Sequence, residues 1–186
     1  MKTRCGWTGG DALMNEYHDH EWGVPVHDDQ KHFEFLVLDA FQAGLSWKTI
    51  LYRREGFRKA FADFDVQKVA RFTEEQLQQL MTDESIIRNR LKITGTVKNA
   101  QAFIKIQKEF GSFNAYIWQF VKGKTIVNNC KTMQDIKATS PESDTMSKDL
   151  KKRGFTFVGS TICYAYMQAA GMVNDHTVDC FRHKEV

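Results

Sequence analysis

Apolar residues recur at spacings of three and four along most of this chain, and only 2 prolines interrupt it. That period puts them on one stripe of an α-helix, and it constrains the fold more than any other feature. Phe33, Leu36, Val37 and Ala40 form the first stripe, with Asp28 and Asp29 placed to cap it and to meet the helix dipole, and Gly44 to end it. Ser46 predicts a second start, carrying Trp47, Ile50 and Leu51 and stopping near Gly56. Phe57, Ala60, Phe61 and Phe64 predict a short third helix. Thr73-Glu74-Glu75-Gln76 reads as a capping box ahead of Leu77, Leu80 and Met81. Ile93, Val97, Ala100 and Ile104 make a long stripe that stops at Gly111, and Ser112 opens a sixth helix closed by Gly123. Residues 124–142 lose the period and read as a loop with an extended piece near Thr125–Val127. Ser143 predicts a helix to Arg153, with Gly154 suited to the left-handed residue beyond it, and a last helix runs from Gly159-Ser160 to Gly171. The fold class expected is all-α, with short loops and no internal repeat.

A chain of 186 residues can bury roughly 70% of its unfolded surface, enough for one substantial core. Hydrophobic residues at 42% exclude a disordered polymer, and no stretch approaches the length of a membrane span. The N-terminal run has no apolar export segment, so a cytoplasmic protein without a membrane partner is expected. The net charge of +3 permits a nucleic-acid partner without demanding one. Without export, the cysteines at 5, 130, 163 and 180 read better as metal ligands or buried thiols than as disulfides.

Three constellations carry chemistry. Cys5 and His18 lie near one end, and His176 and Cys180 near the other, the latter pair spaced i,i+4 as on one helical face. Two thiolates and two imidazoles can close a tetrahedral shell around one structural zinc, although spacing alone favours four unrelated residues, buried thiols and surface histidines. Tyr17, Trp22 and Trp47 bracket Asp39, with Glu21 adjacent. Aromatic faces beside a carboxylate suit a flat cationic ring, and ordinary core packing is the competing reading. Asp39 is the harder residue to dismiss, because a carboxylate between Leu38 and Ala40 needs a partner. Lys151-Lys152-Arg153-Gly154-Phe155, running on to Gly159, joins two helices by a turn whose N–H groups can cradle a phosphate; a solvated charge run at a helix end is the alternative.

Together these stretches resemble the Tag family of 3-methyladenine DNA glycosylases, within the helix-hairpin-helix glycosylase superfamily. The matching blocks are Arg4-Cys5-Gly6-Trp7, Tyr17 to Pro25, Gln42-Ala43-Gly44-Leu45-Ser46-Trp47, Ile86-Ile87-Arg88-Asn89-Arg90, Lys151 to Tyr164, and Val173-Asn174-Asp175-His176. They cover nearly the whole chain in order. The resemblance implies one glycosylase unit over 1–186, with a central helical subdomain near 28–145 and a terminal one of 1–27 plus 146–186. It implies a zinc clip on Cys5, His18, His176 and Cys180 joining the two ends. It places the base pocket on Tyr17, Trp22 and Trp47, and the phosphate hairpin around Gly154–Gly159 with Lys151 and Lys152. It assigns Gln42, Gly44 and Leu45 to a loop that enters the duplex.

One departure stands out: the family carries Glu at the pocket carboxylate, where this chain has Asp39, shorter by one methylene. The activity implied is removal of 3-methyladenine from alkylated double-stranded DNA by a monomeric, monofunctional enzyme that flips the base. N3-methylation already activates the leaving group, so recognition matters more than a strong general acid. Asp175 lies near the position where the resemblance to the superfamily implies a catalytic Asp, but it also abuts a candidate ligand, and orienting His176 is the competing role. Two rivals are a zinc-stapled DNA-binding module without activity, and a zinc hydrolase or deaminase. The latter needs an open metal position and a His-x-Glu with Cys-x-x-Cys pattern that this sequence lacks.

Overall fold

The computed structural model describes residues 2–186; Met1, the first residue of the expected terminal subdomain, lies outside them. The fold is organised around α2 (Asp29–Gln42), in which every residue from His32 to Phe41 is buried. A helix buried on all sides has to be surrounded, and α3 (Trp47–Tyr52), α7 (Arg90–Phe110), α8 (Phe113–Ile117) and α10 (Ser160–Ala169) pack around it. One hydrophobic cluster runs from Cys5 to Cys180 and includes Phe33, Phe41, Phe57, Phe103 and Phe113. Phe103 and Phe113 stack with ring centres 4.0 Å apart.

Local capping explains most boundaries. Asp28 accepts from the Lys31 N–H at 2.8 Å, Ser46 from the Thr49 N–H at 3.1 Å, and Asn89 from the Lys92 N–H at 3.1 Å. The Thr73–Gln76 box opens α6 (Glu74–Leu80) as expected. Two boundaries and two added helices differ from the sequence reading. Gly56 does not stop a helix; it lies inside α4 (Arg54–Ala60), where a Cβ would meet the Ser85 carbonyl at 2.5 Å, so close packing explains the glycine. α9 (Pro141–Lys152) starts at the Ser140 cap, not at Ser143, because proline suits the first helical position and Ser143 completes a capping box. An unexpected helix, α1 (Ala12–His20), follows the Asp11 cap, and a one-turn α5 (Val66–Val69) follows Asp65.

The extended piece after Thr125 is β1 (Ile126–Val127). It pairs in parallel with β2 (Val173–Asn174), Ile126 opposite Val173, which amends the purely helical expectation. The pair ties the aperiodic 124–140 segment to the C-terminal stretch, and the Val178 N–H adds a 2.8 Å bond to the Cys130 carbonyl. No described helix is long and apolar enough to cross a membrane.

Candidate functional site

His18 lies in the last turn of α1, Cys5 precedes that helix, and His176 follows β2 by two residues. The four side chains meet although Cys5 and His176 stand 171 positions apart and Cys180 lies further still: Cys5 Sγ lies 3.6 Å from His176 Nδ1, and Cys180 Sγ lies 3.5 Å from His176 Nδ1 and 3.4 Å from His18 Nε2. All four donor atoms lie within 4.8 Å of one another, and all four residues are buried. His176 and Cys180 do not share a helical face. A turn brings them together, closed by the Cys180 N–H on the Thr177 carbonyl at 2.8 Å. Neighbours fix both rings. His18 Nδ1 contacts Asp19 Oδ1 at 2.8 Å, and His176 Nε2 contacts the Trp22 carbonyl at 3.0 Å, leaving Nε2 and Nδ1 respectively to face the centre. Burial pushes His176 down to about 4, so its imidazole is neutral and free to ligate. Burial pushes the Cys5 thiol up to about 12. The cluster is a closed four-donor set that can hold a metal ion.

Asp175 does not orient His176, one of the two roles the sequence left open for it. Its oxygens accept from Asn128 Nδ2 at 2.6 Å, Tyr164 OH at 2.9 Å and Gln168 Nε2 at 2.8 Å. The Asp19 carboxylate orients His18 instead, itself held by Arg4 at 2.7 Å.

Beside the cluster opens a cavity of about 530 Å³. Tyr17, Trp22, Asp39, Gln42 and Trp47 line it, so the structure brings these predicted residues together. Tyr17 and Trp47 have ring centres 5.1 Å apart, and Trp22 meets Trp7 edge-on at 5.1 Å. Asp39 sits in the last turns of α2 with 2% exposure, and its Oδ2 has no hydrogen-bond partner. Burial pushes its carboxyl well above the usual range. The indole N–H groups of Trp7 and Trp47 are likewise buried and unpartnered. Buried polar atoms are nearly always paired, and here three unpaired ones belong to residues that line one cavity.

Glu21, expected at this pocket, is not on its wall. Both its oxygens go to Arg54, at 2.6 and 2.7 Å, and one also meets Lys31 at 2.8 Å. Burial pushes its carboxyl up, yet Arg54 and Lys31 prevail and hold it at about 2. Sequence reading missed Trp7, Met133, Ile136 and Gln168 on the wall. Met133 and Ile136 come from the aperiodic segment, which carried no periodic signal. Trp7, two residues from Cys5, was the detectable one, because a ligand beside a cavity draws its neighbours there.

The remaining predicted residues lie at the surface. Gly44 is left-handed at φ +80°, and Leu45 is 40% exposed. Lys151 and Lys152 are exposed at the end of α9. Gly154 follows at φ +94°, and the N–H groups of Gly154 and Phe155 turn back to the Lys151 and Leu150 carbonyls. Asn99 of α7 clamps the turn, accepting from the Thr156 N–H at 2.8 Å and donating to the Thr156 carbonyl at 3.0 Å. α10 then starts at Gly159 with no side-chain cap, unlike α2, α7 and α9. Its first N–H groups therefore stay available to an external acceptor.

A sequence profile described as methyladenine glycosylase matches residues 7–183. The chain is 47% identical, over 95% of both lengths, to DNA-3-methyladenine glycosylase 1 of Escherichia coli (strain K12). It is 44% identical to DNA-3-methyladenine glycosylase of Haemophilus influenzae, over 97% of both. A crystal structure of 3-methyladenine DNA glycosylase I superposes with a TM-score of 0.94 at 44% identity, covering 96% of this chain and 98% of that one. Another structure of such an enzyme, in complex with 3-methyladenine, superposes at 0.93 with 35% identity and 96% coverage of both.

Proposed function

The chain belongs to the methyladenine glycosylase family, and from that premise we propose that it hydrolyses the N-glycosidic bond of 3-methyladenine in alkylated DNA by drawing the base into the aromatic cavity. The observation that carries this reading is the unpartnered Asp39 carboxylate on an indole- and phenol-lined wall. An electron-poor purine supplies what that wall lacks: a flat positive ring for Tyr17 and Trp47, and edge donors for the carboxylate. Trp22 shapes the wall. The C1′–N9 bond breaks with its electron pair moving to the base, whose charge is thereby neutralised, and water adds to C1′ and loses a proton. No protonation of the leaving group is needed.

The Gln42–Leu45 loop is the wedge in this reading. Leu45 fills the vacated stack and Gln42 faces the orphaned partner base. Extrusion costs a few kcal/mol, less at a damaged base, which favours lesions. α9, the 153–159 turn and the uncapped start of α10 act as a helix-hairpin-helix, with the Gly159 region, Lys151 and Lys152 anchoring phosphates without reading sequence. The whole chain acts as one unit, a reading supported by its continuous core.

The metal is read as one structural zinc. Zn–S of about 2.3 Å and Zn–N of about 2.0–2.1 Å give tetrahedral edges of roughly 3.3–3.8 Å, close to the 3.2, 3.4, 3.5 and 3.6 Å separations between neighbouring donors, while the full set spans up to 4.8 Å. With four protein donors no position is left for water, so the ion would supply cross-linking and no chemistry at the base.

Chromatography of bases released from methylated duplex DNA tests the activity, with Asp39→Asn alongside. Release of 3-methyladenine by the wild type and loss in the variant are expected; equal rates would remove the pocket assignment. Lys152→Ala tests the hairpin. It should weaken binding to damaged and undamaged duplex alike and lower the slope of log K against log salt by about 1. A loss confined to damaged DNA contradicts that role.

A further inference from the structure

α2 ends abruptly. A helix leaves its last carbonyls without intrahelical donors, and chains commonly answer with a left-handed residue whose N–H turns back onto them. Here the residue after Gln42, Ala43, sits at φ −47° and ψ 114°, and the chain departs at once. The Leu45 N–H reaches the Gln42 carbonyl at 2.6 Å. The Phe41 and Ala43 carbonyls are met by a side chain, the Lys92 ammonium, at 2.8 and 2.6 Å.

Lys92 belongs to the first turn of α7, and its own N–H is held by the Asn89 cap. The side chain is thus anchored at both ends. It is 7% exposed. Burial lowers its pKa, and no carboxylate offsets that burial among the described residues. Desolvating an ammonium to fill space makes little sense where a methionine would pack as well. The compensation is the partial negative charge at the end of α2. The outcome is a strut from α7 to the turn that carries Asp39 and Gln42, immediately before Gly44 and Leu45.

We propose that Lys92 is a positioning residue for base extraction, fixing the direction in which residues 42–45 leave α2 so that Leu45 meets the duplex already set. This rests on the wedge assignment made above. A slack loop would have to be ordered during insertion, whereas the strut completes that ordering when the protein folds.

Single-turnover release of 3-methyladenine is measured from methylated duplex and from the same DNA as a single strand, where no stack needs a wedge. Binding of free 3-methyladenine, read by tryptophan fluorescence, reports the pocket separately. Lys92→Met should lower duplex release about tenfold while single-strand release and free-base affinity stay within about twofold. Lys92→Arg keeps the charge and the donors, should recover part of the duplex rate, and carries the test if the methionine variant does not fold. Adding Leu45→Ala to Lys92→Met should lower duplex release little further, because both act through one step. Duplex and single-strand rates falling together, or Lys92 and Leu45 effects that multiply, would overturn the proposal. Leu45→Ala without effect on the duplex-to-single-strand ratio breaks the wedge assignment and this inference with it. A Leu45 effect with an unaltered ratio in Lys92→Met and Lys92→Arg breaks this inference alone.

Discussion

The Cys/His cluster and the aromatic cavity share Trp22 yet are finished to opposite degrees. On one side the Trp22 carbonyl meets His176 Nε2, and the two rings lie edge-on at 4.6 Å. On the other side the same indole faces the cavity. In the cluster both imidazoles are oriented by outside groups, and the four donors face one another. In the cavity a carboxylate oxygen and two indole N–H groups face nothing. A site that stabilises the fold satisfies its polar atoms internally, whereas a site that receives a ligand leaves atoms open and bears the energetic penalty until the ligand arrives.

That contrast breaks most easily at Asp39. Asp39→Asn should lower base release by about 10²-fold or more, the scale of a lost charge contact to the reacting group. It should also raise the melting temperature of the free protein at neutral pH. The sign follows from burial: the folded pKa lies above the unfolded one, so wild-type stability from this group is full below about pH 4 and falls as pH rises through the folded value. The gap between variant and wild type should therefore widen upward from pH 4. Thermal melts across pH check it, and a variant less stable than wild type at pH 7 would contradict an unpaired carboxylate.

On the cluster side, Cys180→Ser should do the reverse. Metal content and melting temperature should fall together, with a loss of roughly 3–5 kcal/mol, while any residual folded protein still binds free 3-methyladenine. Metal analysis with calorimetry decides it, and unaltered melting without metal removes the clip. The smallest effect sharpens the comparison at its boundary. Trp22→Phe removes the indole but keeps the backbone carbonyl that holds His176. It should weaken 3-methyladenine binding about tenfold, the loss expected for a weakened aromatic contact, and leave metal content unchanged. Metal loss in this variant would mean that the two sites are not separable.

Features set by neighbours in sequence were legible. The caps at Asp28, Ser46 and Thr73 act within four residues, and the helices starting there followed. The four cluster residues were legible as chemical types, but the i,i+4 argument for His176 and Cys180 reached the right pair through a helix that does not exist there. Glu21 failed for a related reason. It follows α1 beside Trp22, and one residue of separation turned it away from the cavity toward Arg54. Lys92 left one sign that was overlooked: a lysine in the first turn of a helix opposes the dipole and invites a search for what holds it. Met133, Ile136, Gln168 and the β1–β2 pair depend on contacts between distant segments, and the 3.6-residue period carries no information about those.

The separation of the cluster's halves governs when it can form. His18 and His176 stand 158 residues apart, with Cys5 beyond one and Cys180 beyond the other. On the ribosome the first pair emerges early and can offer a cation only two ligands. The remaining two appear after α10 has been synthesised. A metal held by this cluster would therefore be captured only once both ends of the chain are present, so the N-terminal pair alone could not nucleate the fold around it.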